Sequence, residues 1–518
     1  MMTDPSSSKS ALTLFAVLSL VSLGGCAGAR DGNGKLAEPA SAKGSTEAGG
    51  VIGITTVGNV PPEVAAQTSR IWGLAAKARK LKPKEPVKLA VLDGAALVGV
   101  VKAHVKDEVP PDVIRAEGRC FETLGLIPPG YKYEEETYAL LEEELAGLYM
   151  PEDKTMYVAL GIDGVELDAT LSHELVHALQ DQYFEIGKKM KYHQGASDAL
   201  GALQALAEGD ATSAMIDEVI LSKKGEDGLA QMTAADLPDR GPEEFLDESL
   251  QDKKPDAALK RAPRFLALGL VAPYADGLAF VNALRRRGGW SAVDAAWGKP
   301  PVTTEQLLHV DKYDAYEPAV DVKVATGAAL GAGWKQTYDD GFGEEEGRLA
   351  FSTWMTTPAS RKAAAGWGGD RATLFEADGD RHAVAWKIVY DTPADATEAG
   401  QLLVTGFTSA YGASVKKGDV DVFGLPAPVV KPADDGKAKK PKDPLAKEEP
   451  GKKKPDAKGK LPELPDVSGG TAVGTPLAPP APAVANGCRA IAVTGKTLTI
   501  LSGAPCDVIT AWSAEVAK

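Results

Sequence analysis

The chain has 518 residues, 44% of them hydrophobic and 25% charged, an ordinary globular composition that excludes a disordered or fibrous protein. Its length exceeds what one ordinary core accommodates and implies roughly two to four packed units. The formal net charge of -15 argues against a nucleic-acid partner, because gripping a phosphate backbone requires a basic face.

In chain order, the first signal is Lys9 followed by an apolar run from Ala11 to Leu23 (ALTLFAVLSLVSL). The run is too short to span a bilayer and suits the hydrophobic part of a secretory signal peptide over residues 1–25. It leads into Leu23-Gly24-Gly25-Cys26, which resembles a bacterial lipobox. That resemblance implies cleavage before Cys26, lipidation of its thiol and attachment to a membrane through the N-terminal lipid. Ala27 stands where an inner-membrane lipoprotein would carry aspartate, so the expected location is the outer membrane of a bacterial envelope. No other stretch reads as long and apolar enough to cross a membrane. Export places the chain in an oxidising compartment, where cysteines tend to pair.

Residues 26–60 are small, polar and Gly-rich, the composition of a flexible tether. Beyond it a helix is expected from Pro62 to Lys80, and VKLAVLDGAALVGVV reads as strand, turn and further apolar structure. Helices follow over Pro110–Leu124 and Glu134–Leu148, the second with Leu140, Leu141, Leu145 and Leu148 on one stripe. Lys154–Leu160 is a β-type run, and Asp168–Phe184 reads as a helix. A second Ala- and Leu-rich helix is expected over Ser197–Ser222, then charged loop over 223–254 and a mostly helical stretch from Pro255 to about Ala332. Asp378-Gly379 between β-rich runs marks a two-residue hairpin, and Pro393 sits where a helix begins. Residues 431–485 are rich in Lys and Pro with almost no aromatics, a solvated linker. The last segment gives two β-branched runs about Gly495-Lys496 and a helix from Asp507. Pairing across that turn places Cys488 opposite Gly503, within reach of Cys506, so these two are the expected disulfide; Cys120 is expected as a buried free thiol.

The chemistry lies in His173-Glu174-Leu175-Val176-His177. On a helix, histidines four apart share a face and are separated by about one turn, so both imidazoles reach one Zn²⁺. Glu174 leans over the open coordination position, where it can take a proton from an attacking water and return it to a leaving amine. A catalytic zinc needs a third protein ligand, and no histidine follows soon after His177. Glu208, in the otherwise apolar Ala207-Glu208-Gly209-Asp210-Ala211, is the best candidate, with Asp210 and Asp198 as competitors. Gln180 and Asp181 are candidates for orienting a ligand, and Tyr192 and His193 for donating to a developing oxyanion. His104, His309 and His382 lack partners at metal spacing and read as structural.

TLSHELVHALQDQYF followed by ALAEGDA resembles zincin metallopeptidases of the gluzincin type, especially those of bacterial envelopes. LGLIPPGYKY, ELAGLYMPEDKTMYV, PYADGLAFVNALRRRGGW and VTTEQLLHVDKY are also similar to such proteins, so the resemblance spans roughly residues 60 to 420 with gaps. It implies an α+β zincin-like fold: a mixed sheet over the metal helix, then a mainly helical subdomain. It further implies His173 and His177 as zinc ligands, Glu174 as base and Glu208 as third ligand. Thirty residues lie between His177 and Glu208, more than in many gluzincins. The expected organisation is a catalytic domain over 61–254, a helical subdomain over 255–345, and a small α/β module from 346–430 and 486–518. The expected function is a zinc peptidase acting on a peptide or protein substrate outside the cytoplasm; the alternative is a lipid-anchored, non-catalytic zinc-binding or scaffold protein.

Overall fold

A computed structural model describes residues 53–424 and 487–517, apart from residues 163, 192 and 252. The expected signal peptide, the Cys26 lipidation site, Tyr192, the 431–485 linker and the tether up to residue 52 lie outside the described residues. What is described is a mixed α/β protein, 57% helical and 17% strand, so helices rather than sheets supply most of the framework.

The first half contains β1 (Ile54–Thr56), α1 (Pro62–Arg79), β2 (Val87–Leu92), α2 (Gly94–Glu108), α3 (Pro111–Leu124), α4 (Tyr133–Glu144), β3 (Gly147–Met150), β4 (Thr155–Ala159) and α5 (Gly164–Phe184). Local chemistry sets several of these ends. Pro62 occupies the first turn of α1, Asp93 caps α2 by accepting from the Ala96 N–H, and left-handed Gly125 closes α3. The four strands form one sheet in the order β1-β2-β4-β3, with β1–β2 and β2–β4 parallel and β3 antiparallel to β4. Two expectations are corrected here. Ile54–Thr56, assigned to the tether, is a strand, because its β-branched residues pair with Val87–Leu89. The helix expected to run to Leu148 stops at Glu144: Leu145 turns extended, and Gly147–Met150, all buried, become the edge strand β3.

Next come α6 (Ser197–Gln231), α7 (Pro242–Gln251) and α8 (Arg264–Gly298). The stretch 223–254, expected as loop, is therefore largely helical; α6 breaks at Gly225 and resumes to Gln231. By length and hydropathy alone α8 would suffice to cross a membrane, against the expectation that no such stretch existed, but 67% of that apolar window is buried inside the protein. Its partner there is α6. A Cβ on Gly209 would lie 2.1 Å from the carbonyl of Gly277, and one on Gly277 would lie 2.0 Å from the carbonyl oxygen of Ala205. The two helices thus cross with backbone against backbone, which only glycine permits.

The second half is built on a seven-stranded antiparallel sheet of β5 (Lys335–Asp340), β6 (Trp367–Ala377), β7 (Arg381–Tyr390), β8 (Val415–Lys417), β9 (Val420–Phe423), β10 (Cys488–Thr494) and β11 (Thr497–Ala504), ordered β5-β6-β7-β11-β10-β9-β8. Helices α9 (Gly343–Phe351), α10 (Thr357–Ala364), α11 (Pro393–Tyr411) and α12 (Ile509–Val516) accompany it. The β6–β7 turn holds three residues, Asp378 to Asp380, between the paired Ala377 and Arg381, rather than two. Cys488 is disulfide-bonded to Cys506 and pairs with Ala504, one residue beyond the expected Gly503, because the ladder shifts between Cys488 and Arg489. Cys120 is a buried free thiol.

The expected boundaries at 254 and 345 do not divide the described residues, which form one compact unit. Strand β5, placed in the helical subdomain by sequence, joins the C-terminal sheet. Cys120, Phe121 and Leu124 of α3 share one apolar core with Phe265 of α8, Trp386 and Ile500 of the sheet and Phe407 of α11. A second core gathers α1, α5, α6 and α8 around Leu171, Leu175, Ala207 and Phe280. Chain order alone hides these long-range pairings.

The glycine crossing is directly testable. In an ordinary helix interior Gly→Ala stabilises by up to about 1 kcal/mol. Here Gly209→Ala is expected to destabilise by about 1–3 kcal/mol, since the added methyl overpacks a backbone contact. A lowered denaturant midpoint measures it, and a raised one would show that the helices do not touch there.

Candidate metal centre

Helix α5 buries one face completely: Leu171, Leu175, Val176 and Leu179 are fully enclosed and pack on the sheet and on α1. His173 and His177 lie on this helix one turn apart, with ring centroids separated by 4.7 Å. Glu208 comes from α6, directly before the Gly209 crossing, so the close approach of α6 and α8 fixes its height above the imidazoles. The Nε2 atoms of His173 and His177 are 3.0 Å apart, and Oε2 of Glu208 lies 3.0 Å from the first and 3.5 Å from the second. Ligands about 2.0–2.1 Å from a tetrahedral zinc are separated by about 3.3 Å, so the three atoms already stand at the spacing such an ion demands. They form a buried cluster able to hold a metal ion.

The electrostatics agree. Burial pulls the His173 imidazole down to about 4, far below its usual value, while the Glu208 contact only partly offsets this. For His177 burial acts in the same direction, but the Glu208 charge outweighs it and raises the ring's proton affinity. Burial would raise the Glu208 carboxyl, and the two imidazoles overcome it and push the group down. The carboxylate therefore asks for positive charge at the point where the nitrogen lone pairs converge. A divalent cation placed there supplies it, displacing a proton as it binds.

The supporting residues are specific. Gln180 donates from Nε2 to the Ala207 carbonyl at 2.9 Å, which turns its Oε1 to His177 Nδ1 at 2.8 Å. The imidazole must donate from Nδ1, so Nε2 is the atom turned toward Glu208 and the one that would bind a metal once its proton is displaced. One amide thus orients a histidine and ties α5 to the helix of the third ligand. Asp181 does not share that role; it accepts from the Tyr149 hydroxyl at 3.2 Å and from the Gly187 N–H, holding strand β3 beside the site. The competitors for third ligand are engaged elsewhere. Asp210 binds Arg79, whose guanidinium is fully buried, and takes a 2.8 Å hydrogen bond from the Trp297 indole. Asp198 accepts from the backbone and hydroxyl of Thr304.

Glu174 is buried beside the triad but is not part of it. Its Oε2 accepts from the Tyr149 N–H of β3 at 2.8 Å. A Cβ on Gly147 would meet Thr170 at 2.6 Å and Glu174 at 3.2 Å, so the edge strand lies flat against this part of α5. Burial first, then the Glu208 charge, raise the Glu174 carboxyl to about 7, against the lowering by His177 and the Tyr149 N–H. His193 is exposed in the loop before α6. His309 pairs with Glu344 at 2.9 Å and His382 with Thr123 at 2.6 Å, both far along the chain from the triad.

Sequence reasoning missed Tyr274 of α8. Its ring centroid lies 5.8 Å from that of His173, and its hydroxyl interacts with Glu208. Burial and the nearby carboxylates keep the phenol protonated, a donor toward the third ligand. Tyr274 lies three residues before Gly277, one turn of α8, and only the helix crossing brings it to the metal site.

Residues 332–428 match a family described as Domain of unknown function (DUF8575), a segment that holds none of His173, Glu174, His177 or Glu208. The chain has no match among curated proteins or solved structures.

Removal of the Gln180 amide should loosen metal without unfolding the chain. For Gln180→Leu, zinc affinity measured by chelator competition is expected to fall about 10–100-fold. Unchanged affinity would mean that His177 is oriented by something else.

Proposed function

We propose that this chain is a zinc-dependent peptidase of the zincin type, anchored to a bacterial envelope through Cys26 and cleaving peptide bonds outside the cytoplasm. The observation that carries this reading is Glu174, a buried carboxylate set beside three convergent ligand atoms yet excluded from them. A purely structural metal site has no use for an additional acid at that position, whereas hydrolysis needs a base there. The mixed sheet, with its antiparallel edge strand lying along the metal helix, is in keeping with the fold that the sequence resemblance implies.

His173, His177 and Glu208 would hold the zinc. When bound, zinc would polarise the scissile carbonyl and lower the pKa of a water to about 7. The protein's own groups do the rest. The Tyr149 N–H fixes one oxygen of Glu174, leaving the other to accept the proton of the attacking water and hand it to the leaving amine. Burial, the chief cause of its raised proton affinity, makes this carboxylate a stronger base than an exposed glutamate and suits that exchange. Gln180 and Tyr274 act through the ligands, the first holding His177 and the second donating to Glu208.

One observation favours a second reading, a closed structural zinc in a lipid-anchored binding protein: all four side chains are at most 3% exposed. The two readings separate on the full purified chain. A peptidase cleaves members of a peptide library, stops on chelation, and loses about 10²–10⁴-fold in turnover on Glu174→Gln while keeping one equivalent of zinc. Zinc at one equivalent with no cleavage by the wild-type chain would establish the structural reading instead.

A further inference from the structure

A cavity of about 170 Å³ lies between α6, α8 and the α3–α4 corner, with walls that include Phe121 and the rings of Tyr133, Phe265 and Phe342 set edge-on to it. Glu117 and Glu346 are among the residues that line this aromatic chamber, together with Asp340 and Glu345. Glu117 is only 5% exposed; one oxygen accepts from the Tyr133 hydroxyl at 2.9 Å, and the other takes no hydrogen bond among the described residues. Glu346 has no hydrogen-bond or ion-pair partner among them. Arg348, two residues further on α9, is already bound to Asp276. Glu117, Asp340, Glu345 and Glu346 thus line a half-open, largely apolar space in which Glu117 and Glu346 have no counter-ion among the described residues, an arrangement that costs folding free energy and that a bound cation would explain.

The cavity also adjoins the metal centre. Gln204 and Pro273 form part of its wall; Gln204 is one turn of α6 before Glu208, about 6 Å along the axis, and Pro273 directly precedes Tyr274. We infer that this cavity is a subsite for a cationic side chain, the alkylammonium of lysine or the guanidinium of arginine, on the peptide that the metal centre cleaves. The inference rests on the peptidase reading for the identity of that peptide, and on the cavity alone for its charge preference. Aromatic walls favour a cation as the acids do, since ring faces are negative.

The titration of the acids shows how a cation would be taken up: in the empty cavity they hold their protons near neutral pH, and a bound cation would displace them. Burial, followed by the charge of Asp340 and offset in part by the Tyr133 hydroxyl, raises Glu117 to about 8. Burial, then Glu117, Asp340, Asp370 and Glu345, drives Glu346 well above its usual range. Tyr133, Tyr338 and Cys120 border the same acids and are themselves raised, chiefly by burial. A group whose folded value lies above its unfolded one holds its proton longer in the native state. Stability is therefore lost as pH climbs above the unfolded value, and Glu117→Gln/Glu346→Gln should raise the melting temperature at pH 8 while changing it little at pH 5.

The test uses the full chain carrying Glu174→Gln, so that binding is read without turnover. Calorimetry with n-butylguanidinium and n-butylammonium is expected to show one site, weakened at least about tenfold by adding Glu117→Gln/Glu346→Gln, while 1-butanol does not bind. That result sustains the subsite even if no peptide is cleaved, in which case only the peptidase reading falls. No cation binding, or equal binding of butanol, overturns the subsite and leaves the peptidase reading to its own assay. A Gln double variant that melts lower at pH 8 also overturns it, since the acids would then serve the fold. With an active wild-type chain, cleavage of a peptide library is expected to favour sites near Lys or Arg, and indifference to basic residues overturns the proposal.

Discussion

Two neutral imidazoles and a carboxylate cannot be sealed together inside a protein without positive charge among them, and much of the surrounding structure serves to bring these three groups to that point. The cost of burying Glu208 in low dielectric is met only when its oxygen faces the two Nε2 atoms at hydrogen-bond distance. That contact needs α6 to lie close over α5, and α6 can lie there because α8 presses on its far side through Gly209 and Gly277. Arg79 braces the same region from α1. Its guanidinium, buried and stacked 4.4 Å from the Trp290 ring, links Asp210 of α6 to Asp294 of α8. The acid next but one to the third ligand is thus a structural strut, which removes it from competition for the metal.

The sequence made part of this legible and concealed the rest for physical reasons. Helix α5 announces itself because its chemistry is local: histidines four apart on a helix share a face whatever the remaining chain does. Glu208 could be suspected only as a carboxylate in apolar surroundings, since its relation to His177 depends on the packing of two helices. Gln180 was suspected alongside Asp181, and no local pattern separates them. The amide reaches across to Ala207, whereas the acid turns to Tyr149. Tyr274 was hidden entirely, its approach to the site arising from a crossing between residues nearly seventy positions apart.

The least legible element was β3. The leucine stripe through Leu140 and Leu141 runs on to Leu145 and Leu148, and helical periodicity accommodates all four. What ends the helix is tertiary: Gly147 has no side chain to keep it from α5, and Gly147–Met150 completes a ladder with Thr155–Val158. The strand that holds Glu174 is therefore the segment where local pattern and final structure disagree most. Long-range packing across the expected domain boundaries is hidden for a related reason. Composition marks the Lys- and Pro-rich stretch, but it cannot show that α3 packs against a sheet whose strands lie hundreds of residues away.

Helix α8 connects these observations. It supplies Gly277 to the crossing, Tyr274 to the third ligand and Pro273 to the wall of the acidic cavity, all within five residues. Its apolar character, which by hydropathy alone would fit a bilayer, follows from being covered on several sides by protein. A proline inside a helix removes one backbone hydrogen bond and bends the axis. At Pro273 this falls between the part of α8 lining the cavity and the part facing the metal ligands. Any ligand that occupies the cavity must press on the same turn that presents Tyr274 to Glu208. Filling of the cavity and the set of the metal ligands are therefore mechanically joined through one turn of helix. Neutralising the cavity acids should be felt at His173, His177 and Glu208 even though no atom of Glu117 or Glu346 belongs to that cluster.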